Sequence, residues 1–340
     1  MFLLIFSSYG GIITMDKVLK NRIDNFLDNY QEIQSAYYGL EKLNSLVCAY
    51  IFTEKGQKIN KYGLKDAHED LDRLSNAFKH DLKPFLPVMA SVMSVCSNEA
   101  SKEEIEEFKT LYKEMEEHFT DSEYLPVAAC LLSYYKDIEK FDFSKADELY
   151  AKLLQEQLWN THEEDVPVTI LAAYEFVNIL TYYNNFITCK KLLSKSIRKN
   201  NKLQSVCELI AMDGAKNPKV DCEAVVYLDK ALRKAGLSFY NDNLAAVLGF
   251  IAMSIAKPGE EFEKEIDAIV DLLGEAEKYL HTEQKNYSCK RLFKKERLLI
   301  AAMLIAMDYN DSNENAFLTA FIIIVFEALY VANDNYELYI

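Results

Sequence analysis

A tripeptide that returns at near-constant spacing constrains this chain more than any other feature. Leu86-Pro87-Val88 is followed by Leu125-Pro126-Val127 and Val166-Pro167-Val168, then by the looser copies Leu203-Gln204-Ser205 and Leu244-Ala245-Ala246. Their middle residues lie 39, 41, 37 and 41 positions apart. Each copy opens an apolar run, and proline suits the first turn of a helix because its missing N–H would have no partner there in any case. A period of roughly 40 falls among the lengths of helical-hairpin repeats. The expected fold is therefore all-α, an α-solenoid-like array of about six helical hairpins of roughly 40 residues behind an N-terminal helical cap.

Each copy has two parts. Ile105, Phe108, Leu111, Tyr112, Met115 and Phe119 recur at helical spacing and define a helix A that buries one stripe. Ser101 and Glu104 stand ahead of it at capping-box spacing. Helix B, from Leu125-Pro126 through Ala128, Ala129, Leu131 and Leu132, is apolar on every side and reads as the inner helix. Ser144 with Asp147, and Asp66 with Glu69, read as further helix starts, and Gly236 as a helix stop. Asp16 can cap a first helix whose stripe is Leu19, Ile23, Phe26, Leu27, Tyr30, Ile33 and Tyr37. The polar stretch 54–63 reads as a loop and a hinge.

These patterns divide the chain into a leader at 1–14, a cap at 15–63, hairpin repeats at 64–307 and a C-terminal capping helix at 308–340. The leader is apolar but has no basic start of the kind a signal peptide carries. Gly10-Gly11 can be encoded by a ribosome-binding stretch, with Ile12-Ile13-Thr14 as spacer, so translation is expected to start at Met15; a weak signal anchor is the alternative. The apolar run at 316–331 is short for a membrane span, which needs about 20 residues. It reads as a buried terminal helix or, if unburied, as a homodimer surface.

A net charge of −15 argues against nucleic acid and against an anionic membrane as partners, because both require a cationic face. The seven cysteines form no C-x-x-C pair, and Cys96, Cys130 and Cys207 fall within helix B runs. They read as reduced core residues of a cytoplasmic protein.

The run Tyr50-Ile51-Phe52-Thr53 with Lys55, the stretch 158–173 around Thr161, Asp165 and Pro167, and residues 201–204 before an apolar helix resemble an uncharacterised all-helical family of low-GC bacteria, known only as a domain of unknown function. The resemblance runs over most of the chain from Met15, and departs at Val166, where an aromatic is expected. It implies an all-helical cytoplasmic protein and brings no activity, cofactor or site residue.

No G-x-S-x-G, P-loop, H-E-x-x-H or G-x-G-x-x-G motif occurs, which speaks against an enzyme, and no cofactor is expected. Two distributions stand out. His80, His118, His162 and His281 fall in turns between helices A and B, where equivalent turns would line one edge of an array. With Glu163, Glu164 and Asp165 they form a candidate ligand or divalent-metal edge, since imidazole and carboxylate together suit zinc, nickel or iron. Lys290, Arg291, Lys294 and Lys295, with Lys285 and Arg297, form a basic cluster in an acidic chain. It is expected either to pair with an acidic face of a neighbouring helix or to receive an anion or acidic partner. The functional expectation is a helical scaffold that binds a protein or peptide. The alternative is a toroid-like enzyme or metal-binding protein built on turn histidines and carboxylates.

Overall fold

The computed structural model describes residues 15–40, 42–75, 83, 85–97, 102–122, 124–133, 141–156, 163–176, 178–197, 201–212, 217–237, 248–249, 251–252 and 262–307. Every regular element among them is helical. The helices are α1 (Lys17–Ala36), α2 (Lys42–Glu54), α3 (Lys61–Ser75), α4 (Leu86–Ser97), α5 (Lys102–His118), α6 (Tyr124–Ser133) and α7 (Phe143–Glu156). They continue as α8 (Val166–Glu175), α9 (Ile179–Leu193), α10 (Asn201–Met212), α11 (Pro218–Lys234), α12 (Phe262–Glu283) and α13 (Lys294–Ala306). The leader at 1–14, the Leu244 copy of the tripeptide and the C-terminal stretch 308–340, with its dimer surface, lie outside the described residues. So do His80, His162 and the side chains of Cys96 and Glu164.

Consecutive helices pair as hairpins, α1 with α2, α3 with α4, α5 with α6, α7 with α8, α9 with α10 and α12 with α13. The returning tripeptide opens α4, α6 and α8, and α10 begins two residues ahead of Leu203. These second helices are buried on all sides. Asn44 to Thr53 of α2, Tyr124 to Leu132 of α6, Val166 to Ala173 of α8 and Arg297 to Ala306 of α13 are each continuous buried runs. The first helices bury one stripe, for example Ile266, Ile269, Val270, Leu273, Ala276 and Leu280 of α12. At about 1.5–3 kcal/mol for each large apolar side chain removed from water, the second helices carry most of the hydrophobic stabilisation.

Helix starts follow local capping chemistry, with two corrections to the sequence reading. Asp16 accepts from the Leu19 N–H at 2.8 Å, as expected. At α3, however, the cap is Asn60, whose Oδ1 accepts from Tyr62 N–H at 3.2 Å, and Asp66 and Glu69 lie inside the helix. At α7 the cap is Asp142, which accepts from the Ser144 N–H at 3.2 Å and from its hydroxyl. Both true caps sit a few residues before the spacing that drew attention. Gly236 ends α11 with a positive φ of 70°, a conformation glycine adopts without a Cβ penalty, and Leu237 N–H bonds back to Leu232 O at 2.8 Å.

The array closes on itself. The second helices follow one another by contact from α2 to α4, α6 and α8, the wall continues through α9, α11 and α12, and α1 packs against both α12 and α13. The first hairpin is therefore not a free end, and the face expected to meet water as a cap is covered by the last hairpin. The inner helices are buried along their described lengths and so line no open groove there.

Candidate functional site at the ring seam

The closing seam joins residues some 260 positions apart, and polar groups supply much of its specificity. Met15 N–H donates to Glu275 Oε2 at 2.8 Å and Arg22 Nη1 to Leu304 O at 2.8 Å. Two glutamines of α1 act as backbone clamps: Gln31 Oε1 accepts from Ser288 N–H at 2.7 Å and Gln34 Oε1 from Lys290 N–H at 2.5 Å. Tyr30 OH donates to Lys290 O at 3.2 Å and accepts from Gln34 Nε2 at 3.0 Å. Burial pushes the Tyr30 hydroxyl well up from the ordinary phenol range, so it stays a donor at all physiological pH. Asp24, which accepts from Tyr279 OH at 3.3 Å, is also raised, chiefly by burial.

Part of the basic cluster takes part in this closure, and the rest is held within the last described hairpin or against the end of α11. Lys290 Nζ donates to Leu40 O at 2.9 Å and Lys294 Nζ to Gly236 O at 3.1 Å. Arg297 is buried, with Nε 2.7 Å and Nη2 2.6 Å from Glu277 Oε1 and Nη1 2.5 Å from Leu292 O. Alongside, Lys42 reaches Glu296 at 3.1 Å and sits 3.9 Å over the Phe293 ring. The internal pairing expected for a basic helix start is thus present, with Glu277 of α12 as the acidic neighbour. Arg291 and Lys295 remain exposed at the same end.

Between the α1–α2 turn and the connection that precedes α13 lies a cleft of about 690 Å³. Tyr37, Tyr38 and Gly39 line one side, and Tyr287, Cys289 and Lys290 the other. Tyr38 is fully exposed, at 103% of its reference area, on a turn that Gly39 makes with φ 93°. Tyr287 is pushed up to about 12 by burial, with the carboxylates Asp28, Asp24 and Glu283 adding to the shift. Cys289 is likewise raised by burial, so its thiol is not an activated nucleophile. The cleft offers aromatic faces, hydroxyls and a lysine. The lysines stand out in the sequence and Tyr37 reads there as part of the first helix's stripe; Tyr38 beside the turn glycine Gly39 is the available signal for an exposed aromatic.

Of the candidate histidine edge, His118, Asp165, Glu163 and His281 lie among the described residues. His118 is exposed and stacks on Phe143 at 5.8 Å, two helices from the nearest other candidate, and Glu163 is exposed in a short 3₁₀ turn. His281 lies at the end of α12, and its pKa is lowered by burial and by the cations of Arg297, Lys285 and Arg291, surroundings that oppose a metal ion. Asp165 is instead buried, its Oδ2 accepting from Gln204 Nε2 at 2.7 Å, and the same amide nitrogen donates to Glu208 Oε1 at 3.0 Å. One amide thereby holds two carboxyl groups between α8 and α10. Among the described residues, no group of three or more His, Cys, Asp or Glu is disposed to hold a metal ion, and no helix is long and apolar enough to cross a membrane.

A family model described as a protein of unknown function, DUF4003, matches residues 29–333. The resemblance drawn from Tyr50 to Thr53 and the stretch around Asp165 is borne out as membership of an uncharacterised family. No curated protein and no solved structure matches the chain.

Proposed function

As the chain belongs to the DUF4003 family of unknown function, we propose from the seam geometry that it is a binding protein, and that its cleft takes an acidic, aromatic-bearing peptide segment. The observation that carries this reading is the 690 Å³ cleft walled by Tyr37, Tyr38 and Tyr287 with Lys290 at its edge. Tyrosine supplies large contact area with little conformational entropy to lose, which is why it is enriched where proteins bind other proteins. Lys290 lines the cleft and the exposed Arg291 follows it in sequence, in a chain of net charge −15, which gives a local field that favours negative segments and steers their approach. Ring closure and the buried Asp165–Gln204–Glu208 group are the two features that favour the toroid-enzyme alternative. Gln204 donates to both carboxyl groups, which equally gives the group a structural role.

Synthetic peptides alternating Glu and Phe, with Lys and Phe as the control, provide the test by fluorescence anisotropy. The acidic peptide is expected to saturate the protein and to weaken as salt screens the basic edge. Tyr38→Ala and Arg291→Glu should each weaken it about tenfold, the scale of one good aromatic or charge contact. Both side chains are exposed, so helical content should not change. Equal binding of the two peptides, or unchanged affinity in both variants, would overturn the reading.

A further inference from the structure

A second cavity lies on the opposite kind of surface, in the outer wall between α9 and α11. It is a hollow open to solvent with a volume of about 370 Å³, within the size range of small-ligand sites. Its floor is apolar, made by Leu192 and Leu193 of α9 and by Cys222 and Val226 of α11. Leu193 and Cys222 are nearly or fully buried, whereas Val226 keeps 40% of its area in contact with solvent. Tyr227 closes one end, its ring 6.4 Å from that of Phe262.

The rim is cationic. Lys195, Lys219 and Lys230 all border the cavity, against the single carboxylate of Glu223. None of the three ammoniums is held in an ion pair among the described residues, although the chain carries 53 acidic against 38 basic side chains. By contrast, Arg233 on the same helix is paired with Asp229 at 2.9 Å. Lysines spaced along the border of an apolar hollow in an acidic protein present charge complementarity to an anionic head and burial to an apolar tail.

We propose that this cavity binds a small amphipathic carboxylate, a medium-chain fatty acid being the simplest of the class. A volume of about 370 Å³ lies at the small end of the range of small-ligand sites, which suits a medium-length alkyl chain such as that of decanoate. The alkyl chain lies on Leu193, Cys222 and Val226, and the carboxylate faces the lysine rim. The site is separate from the seam and does not depend on the peptide reading.

Calorimetric titration of the full chain with decanoate, decanol and decyltrimethylammonium, each below its micellar concentration, tests this. Decanoate is expected to bind saturably, decanol more weakly and the cation not at all. Val226→Asp places a carboxylate on the floor and should weaken decanoate about tenfold or more. Lys219→Gln combined with Lys230→Gln should bring decanoate down to the affinity of decanol. All three positions are exposed enough for the fold to persist, and circular dichroism checks that it does. Absence of saturable decanoate binding, equal binding of the cation, or unchanged affinity in the Val226→Asp protein would each overturn the proposal.

Discussion

The seam that closes the ring and the wall between α8 and α11 are both places where hairpins meet, yet they are held by different means. In the wall, neighbours in sequence are neighbours in space, and their polar groups are sealed inside. Tyr182, Cys189, Cys207 and Cys222 are all buried there, with Asp165, Gln204 and Glu208 alongside. Burial drives the Cys207 thiol and the Tyr182 phenol well above their ordinary values, so both remain protonated. At the seam the partners come from opposite ends of the chain, and the contacts are directional, partly exposed and mostly between a side chain and a backbone group. Stacked neighbours rely on area, because sequence proximity already fixes their register. Chain ends that must find each other rely on hydrogen bonds, which reject a wrong register at a cost of about 1–3 kcal/mol for each group left buried and unpaired.

The largest effect should come from the buried ion pair inside the α12–α13 hairpin, on which α1 packs at the seam. Arg297→Ala leaves Glu277, only 7% exposed, without its guanidinium partner. Breaking a buried pair on one side costs about 3–5 kcal/mol, whereas replacing both members by apolar residues is often nearly neutral. Urea unfolding of Arg297→Ala should therefore show a large loss, and Arg297→Met combined with Glu277→Leu a substantial recovery. If the single and double variants were equally unstable, the hairpin would depend on that charge itself and not on filling its place.

A matched pair of tyrosines sharpens the contrast. Both Tyr30 and Tyr182 are fully buried, but the Tyr30 hydroxyl has two hydrogen-bond partners and the Tyr182 hydroxyl has none among the described residues. Tyr30→Phe should cost about 0.5–1.5 kcal/mol, since it strands the Lys290 carbonyl and the Gln34 amide. Tyr182→Phe should be neutral or stabilising, because it removes a polar group that burial penalises. Chemical denaturation of the two proteins reads the difference directly, and a larger loss at Tyr182 would mean that its hydroxyl has a bound partner such as an ordered water.

The same division explains what the sequence could convey. The recurring Leu-Pro-Val run marked the starts of α4, α6 and α8 because repetition and helical period are local patterns. The stripe from Leu19 to Ile33 was readable for the same reason, and it is buried as expected. Ring closure was not readable. Gln31 and Gln34 look like ordinary exposed positions of an amphipathic helix, and nothing local tells them apart from Glu32, yet they hold the backbone of Ser288 and Lys290. The basic cluster was noticed as an anomaly of charge, and Arg297 with Glu277 accounts for part of it. Asp165 was selected as a turn carboxylate beside His162, but its hydrogen-bond partner Gln204 comes from the next tripeptide copy, 39 residues away. A turn residue can face inward as readily as outward, and composition alone does not say which.

The smallest expected effect is a pH dependence at the foot of the seam, where α3 meets the α1–α2 turn. His68 of α3 is half-buried, its ring 5.1 Å from that of Tyr37, and its Nδ1 is buried without a hydrogen-bond partner among the described residues. Burial lowers its pKa, and the nearby carboxylates of Asp72 and Glu69 only partly offset that shift. A histidine whose folded pKa lies below its unfolded value of about 6.5 binds fewer protons in the folded state, so stability rises with pH through this range. The contribution is fully present above about pH 6.5 and is lost as pH falls toward the folded pKa. Asp24 and Glu175 act in the opposite sense, since burial raises both and the folded state takes up their protons first. The comparison of wild type with the His68 variant between pH 7 and about pH 5.5 therefore reads this imidazole by difference. The urea midpoint of the wild-type protein should fall over that interval, and that of His68→Phe, which keeps a ring against Tyr37, should fall less. Identical slopes would place the acid sensitivity elsewhere, with His281, whose pKa is also lowered and whose neighbours are the seam cations, as the next position to replace.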